Sequence, residues 1–419
     1  MQRLGISLLL ILSFVSVLIS GNGGSGYSRY GLGDLKYFYS DRASGMGNTG
    51  IAAFSSGSIE RLNPASWSTI NRTRFSIGAM YEGYNTTDGT SSAFLSGTSF
   101  GGFMVAFPVY TPSGIVFGAG ITPFSTINYN ISSNSSFGSL LYNINYKGEG
   151  GVSEGHLGFS FNAHPDLSVG AKYTYYFGTM RHIVSQQFSS SDYSNAEEIR
   201  SMQVHGIGAS LGLIYSGLNN ILHLDTSRSL TLGLVAATGS TISGTEEHFL
   251  KYDATNQNIT TRDTISLPES QLNIPVRLGI GVAFRTPEFL VASDLHYQQW
   301  SNFSGNGVIT GSFRDSYRFS VGGELFPRRE GTATFFQRIA YRLGFFADAS
   351  YLQINNEPIN ETVFTGGFGV PIFGDTRLNI AAEYSFRGTT VNGLQKDKII
   401  RLSFMLSGSE RWFVPSEEE

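Results

Sequence analysis

The chain reads as an all-β protein, a 14-stranded antiparallel transmembrane β-barrel with an N-terminal hatch or plug. Three observations predict it. Apolar and polar residues alternate with a period of two through most of the sequence, the signature of strands with two unlike faces. Charged residues make up 14% of the 419 positions, where soluble domains carry about 25%. A single apolar stretch opens the chain, and no other run approaches the ~20 residues that a helical span needs.

That opening stretch comes first in the chain. Met1-Gln2-Arg3 precedes the apolar run Leu4 to Ile19, and Ser20-Gly21-Asn22-Gly23-Gly24-Ser25 follows it. A positive start, a short apolar run and small residues after it describe a secretory signal peptide, here residues 1–23, cleaved between Ser20 and Ser25. A retained anchor is the weaker reading, because the run is short for spanning. Residues 24–72 come next, rich in Gly and small side chains and without strand periodicity. Lying ahead of an even number of strands, they begin at the periplasmic mouth and are placed to fill the lumen.

Residues 73–407 form the barrel. Fourteen alternating runs occur, near 73–84, 97–109, 114–126, 150–162, 167–183, 201–215, 229–243, 275–285, 288–300, 314–326, 337–351, 361–370, 375–387 and 396–407. Most match or exceed the ~9–11 tilted residues that cross a bilayer. Connections 85–96, 127–149, 184–200, 244–274, 301–313, 352–360 and 388–395 read as long loops. Those between are tighter, such as Tyr110-Thr111-Pro112-Ser113, Ala163-His164-Pro165-Asp166 and Thr286-Pro287, although 216–228 and 327–336 break the alternation. Long loops at one end and short turns at the other mark an outer-membrane barrel. Residues 408–419 are left as a periplasmic tail.

The faces agree. In 375–387, Leu378, Ile380, Ala382, Tyr384 and Phe386 oppose Arg377, Asn379, Ala381, Glu383, Ser385 and Arg387. A soluble core cannot hold repeated charges on one face without a large desolvation cost, so the charged face is assigned to the lumen and the apolar face to lipid. Aromatics near strand ends, Trp300, Phe326, Tyr384, Phe386 and Trp412, suit interface girdles. The lumen-facing charges are Arg277, Arg318, Arg338, Arg342, Arg377, Glu383 and Arg401, among others. Their cation surplus would steer an anionic head group inward; the alternative is an Arg–Glu ladder that stiffens the wall.

Other chemistries find little support. With no Cys, disulfides, thiolate metal sites and thiol catalysis are excluded. Two Gly-x-Ser-x-Gly matches, at Gly97–Gly101 and Gly208–Gly212, lie in strand patterns and not at the strand-to-helix turn that a nucleophile elbow requires. The seven His show no metal spacing, a slightly acidic chain without basic clusters does not fit nucleic acid, and no cofactor fingerprint occurs. The chain is read as no enzyme, with no catalytic residue, metal or cofactor.

Within the N-terminal segment stands Ala43-Ser44-Gly45-Met46-Gly47-Asn48-Thr49-Gly50-Ile51-Ala52, and then Asn63-Pro64-Ala65. This resembles the hatch of the long-chain fatty acid transporter (FadL/TodX) outer-membrane family, in a divergent branch. That family also has 14 strands. The resemblance implies passive uptake of hydrophobic or amphipathic small molecules such as long-chain fatty acids, by hatch movement and lateral release into the outer-membrane lipids beside a kinked third strand. On this chain the hatch motif is Asn63, Pro64 and Ala65, and the kink falls at Gly120 and Pro123. The chain departs from the pattern at its end, where Trp412-Phe413 is followed by Val414 to Glu419. Other members of the broader family serve secretion, so the alternative expectation is an outer-membrane scaffold or carrier that docks a secreted protein through its outer loops. A monomer is expected in either case.

Overall fold

The computed structural model describes residues 23–36, 40–190, 192–253, 260–266, 269–303, 309–328, 330 and 332–410. The expected signal peptide, the C-terminal aromatics Trp412 and Phe413 and the tail after Glu410 lie outside them. Fourteen staves form one antiparallel sheet closed on itself. They are β1 (Thr73–Thr87), β2 (Ser92–Tyr110), β3 (Ile115–Phe137), β4 (Leu140–His164), β5 (Leu167–Phe188) and β6 (Ala196–Tyr215). β7 is made of Ser229–Ala237 and Ser240–Asp253, and β8 of Thr260–Ser266, Ser270–Ile274 and Arg277–Arg285. Then follow β9 (Phe289–Gln298), β10 (Ser316–Leu325), β11 (Ala340–Ile354), β12 (Glu357–Phe373), β13 (Thr376–Gly388) and β14 (Lys396–Glu410). β14 pairs with β1 from Glu410↔Thr73 to Lys396↔Thr87, which closes the barrel and carries the last strand through Gly408, Ser409 and Glu410.

Strand length is where sequence and structure differ most. β3 to β6 run 23, 25, 22 and 20 residues, about twice what a bilayer crossing needs. Stretches 127–149, 184–200 and 244–274, expected as loops, are largely continuous ladders, and β3 passes to β4 through Gly138 alone with its neighbour at the tip. Above the lipid the outer face no longer has to be apolar, so the Asn- and Ser-rich pattern hides strands whose backbone pairing persists. β9 and β10, of 10 residues each, contain no such extension among the described residues, so the outer wall is tall on one side and low on the other.

The outward face is apolar and exposed: Phe117, Ile121, Leu157, Tyr173, Leu278 and Ile280 all project from the wall. Tyr384 and Phe386 do so as expected of lipid-facing aromatics. Trp300 does not. It is fully buried at the long-connection end, its ring tilted against those of Phe303 and Tyr351 at 5.2 and 4.6 Å between centroids. It belongs to an apolar core that also includes Ile309, Ile354 and Leu394 and that fills the outer mouth.

Inside the wall lies the N-terminal segment. It touches β3, β5, β6, β7, β10, β11 and β12, contacts that only an enclosed chain makes. Its backbone sits directly on inward glycines. A Cβ at Gly170 would strike Pro64 and Ala65, one at Gly212 would strike Asn63, and one at Gly233 would strike Ile51. Gly322 and Gly344 are overlaid by Met46 and Gly47 in the same way. Strand interiors ordinarily disfavour Gly; here it is the residue that lets two backbones meet.

Gly344→Leu should therefore cost about 1–3 kcal/mol by overpacking and expose residues 40–53 to added protease. Gly366→Leu, one stave away on the outward face with only Leu343 and Arg342 near it, should change neither.

Candidate functional site: the N-terminal segment, an enclosed cavity and a break in the wall

Asn63 caps the 3-10 turn Pro64–Thr69, its Oδ1 accepting from the Ala65 N–H at 3.1 Å. Its Nδ2 donates to Ile51 O at 2.7 Å within the segment and to Leu213 O at 3.1 Å on β6. The Asn-Pro-Ala motif is thus a staple: the amide joins two parts of the segment to the wall, Pro starts the turn without an N–H to satisfy, and Ala is fully buried against Gly170.

Further ties follow the segment along the lumen. The Gly50 and Ile51 N–H groups both donate to Asp294 Oδ2, at 2.7 and 2.9 Å, and the Gly47 N–H donates to Thr365 Oγ1 at 2.8 Å. Arg42 and Arg342 share Glu324 at 2.5 and 2.9 Å, and Arg61 meets Glu154 at 2.6 Å. Asn379 donates to Asp41 at 2.8 Å. All these partners are buried. Glu60 is enclosed among them with Ser40 donating to it, and burial pushes its carboxyl up to about 8.

Between the segment and the upper wall a cavity of about 110 Å³ remains. Of the charges expected to meet a ligand, Arg318, Glu383 and Arg401 line it. Arg318 binds Asp348 at 2.5 Å and lies 4.6 Å over the Phe346 ring. Arg401 holds three acids at once, Glu361 at 2.6 Å, Glu82 at 3.1 Å and Glu383 at 3.3 Å. Arg342 is committed to Glu324 and Asn379, away from the cavity. Arg277 is half-buried at the start of the last piece of β8. Arg338 is no lumen residue: it is exposed in the 3-10 turn Phe336–Arg338, ahead of β11, because the strand begins three residues later than its alternation indicates. Arg377 lies at the same short-turn end, donating to Arg338 O at 3.4 Å and Gly369 O at 3.3 Å. The expected positions therefore split into four separate places.

Gly120 and Pro123 mark a break in the wall. β2 and β3 pair from Tyr110↔Ile115 up to Phe103↔Ile121 and no further. Past that point Ser92–Gly102 of β2 is laddered with β1, while β3 takes the two-residue strand Asp34–Leu35 as its neighbour, at Thr126 and Ser125. The Lys36 N–H donates to Phe124 O at 2.8 Å and the Gly24 N–H to Asn128 O at 3.0 Å. Pro123 has no N–H to continue a ladder, and the β3–β4 register slips between Pro123 and Ser125. A small polar cleft occupies the break, lined by Thr98 and Ser99 of β2 and by Thr126 and Asn128 of β3. Asp34, Lys36 and Glu82 line both cleft and cavity, so the two adjoin.

Sequence reasoning singled out Asn63 and Pro123, whose surroundings are those just described, but neither the glycine belt nor the role of Asp294. A signal existed in the repeated glycines at inward positions of strands.

A family model described as BamG matches residues 1–417. Among solved structures, the chain is similar to the CymD monoaromatic hydrocarbon channel, with 14% identity, a TM-score of 0.55, and coverage of 90% of this chain and 98% of that one. It is similar to the Ralstonia pickettii toluene transporter TbuX at 15% identity, TM-score 0.55, covering 88% and 97%. A Pseudomonas aeruginosa FadL homologue matches at 12% identity, TM-score 0.57, covering 89% and 98%. No curated protein sequence matches. At these identities the likeness to the solved structures is one of fold.

Because Glu60 is held neutral, the folded form binds a proton that the unfolded chain, with an ordinary Glu near 4.5, releases. Its contribution is complete at acid pH and is lost as pH rises toward and through about 8. The thermal unfolding midpoint in detergent should fall between about pH 5 and 8 and level off above, and Glu60→Gln should flatten that slope.

Proposed function

We propose, from the premise that the chain belongs to the BamG family and carries the FadL/TodX barrel fold as a divergent branch, that it is an outer-membrane protein for passive uptake of small hydrophobic or amphipathic molecules, which cross its wall beside Pro123. One observation carries the reading: the β2–β3 ladder stops at Ile121, and a cleft at that break adjoins an enclosed cavity. An unsealed edge at membrane depth is tolerated only where it borders protein or a cavity, and this one borders both. The outer mouth is filled by the Trp300 core, so the side of the barrel is the better route.

The hatch motion that fits is small. Residues 40–68 rest on wall glycines and buried ion pairs, whereas Gly33 to Lys36 bridge cavity and cleft through a two-residue ladder. Shifting that bridge opens the way without unseating the rest. A cavity of about 110 Å³ suits a small molecule or a head group better than an entire long-chain fatty acid. The route calls for no bond chemistry, in keeping with a channel.

A second reading has its own observation. β3 to β6 rise well beyond a bilayer as one tall wall, a surface on which a scaffold or carrier would dock a secreted protein.

The chain has no Cys, so a pair introduced across the break is the only disulfide available. Gly97→Cys with Asn128→Cys, positions that meet across the cleft, should block entry of small amphipathic solutes into proteoliposomes when oxidised and restore it when reduced. Uptake indifferent to the crosslink, together with co-purification of a secreted protein, would favour the scaffold.

A further inference from the structure

The cavity's charge is opposite to what the sequence leads one to expect. Five acids line it, Asp34, Glu82, Asp348, Glu361 and Glu383, against four bases, Lys36, Arg318, Arg387 and Arg401. Arg387 is further committed to Asp397, a fully buried acid behind the wall of the cavity, at 3.1 Å. Counting Asp397, and Arg314 that interacts with Asp348 from outside the lining, makes six acids to five bases. The bases are spent: Arg401 alone is shared by three carboxylates, and Lys36 is paired with Glu82 at 2.6 Å. A guanidinium N–H, that of Arg387 Nε, is left without a hydrogen-bond partner, but each of the four lining bases has a carboxylate beside it, so an anion entering here would meet a net negative charge.

Two oxygens add an independent sign. Asn48, 3% exposed and held at φ 62°, contributes an Oδ1 with no hydrogen-bond partner. Asp348, 6% exposed, pairs with Arg318 through Oδ2 and leaves Oδ1 without one. Both residues line the cavity. Buried acceptors left unpaired cost roughly 1–3 kcal/mol each, which a donor-bearing guest would recover. The rings of Tyr27, Phe346 and Tyr351 also line the cavity; Arg387 and Arg318 already lie over Tyr27 and Phe346, so the rings offer apolar surface for the alkyl stem of such a guest.

We infer that the cavity between Asn48, Asp348 and Glu383 is a binding site for a small organic cation, a primary ammonium that donates hydrogen bonds to the unpaired oxygens and offsets the acid excess. A carboxylate head group is disfavoured by the same charges. The inference rests on the side-entry reading for how a ligand arrives, but not for whether it binds.

The test is isothermal titration of the full chain in detergent with n-propylammonium chloride, and with sodium propionate as the anion of matched size. Saturable binding of propylammonium and none of propionate is expected. Glu383→Gln, which removes one charge, and Asn48→Gly, which removes the Oδ1 while keeping the left-handed backbone, should each weaken the ammonium at least tenfold. Absence of ammonium binding, propionate binding of equal strength, or an ammonium affinity untouched by both substitutions would overturn the site. Running the titration on the oxidised Gly97→Cys/Asn128→Cys protein separates the two ideas. An unchanged affinity and rate leaves the cation site standing and removes side entry; failure of propylammonium on an open, uptake-competent barrel removes the cation site alone.

Discussion

The architecture depends on backbone meeting backbone inside the barrel. A 14-stave wall encloses a bore, and a bore in a membrane must be either a pore or a filled interior. This chain fills it with its own N-terminal residues, laid so close to the staves that Gly170, Gly212, Gly233, Gly322 and Gly344 leave no room for a Cβ. The glycines forfeit side-chain packing and backbone entropy in the strands, and the loss is offset by burial of Met46, Ile51, Ala65 and Trp67. Closeness of this kind also dictates chemistry. Segment N–H groups at Gly47, Gly50 and Ile51 are too deep for water, so the wall supplies Thr365 and Asp294 to receive them.

Charge follows from the same enclosure. Removing one partner of a buried ion pair leaves an uncompensated charge and typically costs 3–5 kcal/mol, so each inward charge constrains its neighbours. Glu324 between Arg42 and Arg342, Glu154 against Arg61, and Arg401 amid three acids lock segment to wall and stave to stave. The lumen charges are largely a fastening. Around the cavity the acids outnumber the bases, and at the β2–β3 break the wall gives up its ladder. The two places adjoin, which is why the functional reading converges there.

How much of this was legible in the sequence depends on which physical rule governed each part. The dyad alternation of 375–387 placed Tyr384 and Phe386 outward and Asn379, Ser385 and Arg387 inward, and the structure agrees, because lipid on one side and enclosed charge on the other leave one register open. Asn63, Pro64 and Pro123 were legible for a like reason: a buried amide cap and a missing N–H have few structural uses. Trp300 was misread as a girdle residue, since amphipathic aromatics also close apolar cores and strand-end position does not tell the two apart. The upper halves of β3 to β6 were misread as loops because, above lipid, pairing no longer writes an apolar stripe. Arg338 was assigned to a lumen face by extending an alternation into a turn. The acid excess of the cavity arose from Asp34, Lys36 and Glu82, brought together from the segment and β1, a convergence that no single periodic run reveals.

Hydrogen–deuterium exchange on the protein in lipid nanodiscs tests the enclosure most directly. If the N-terminal segment is fastened to the inner wall, the amides of Gly47, Gly50, Ile51 and Ala65 will be protected as strongly as the mid-stave amides of β6 and β11. Exchange of those four within seconds, while the staves stay protected, would contradict the account, for it would mean that the segment sits in the barrel without being held by it.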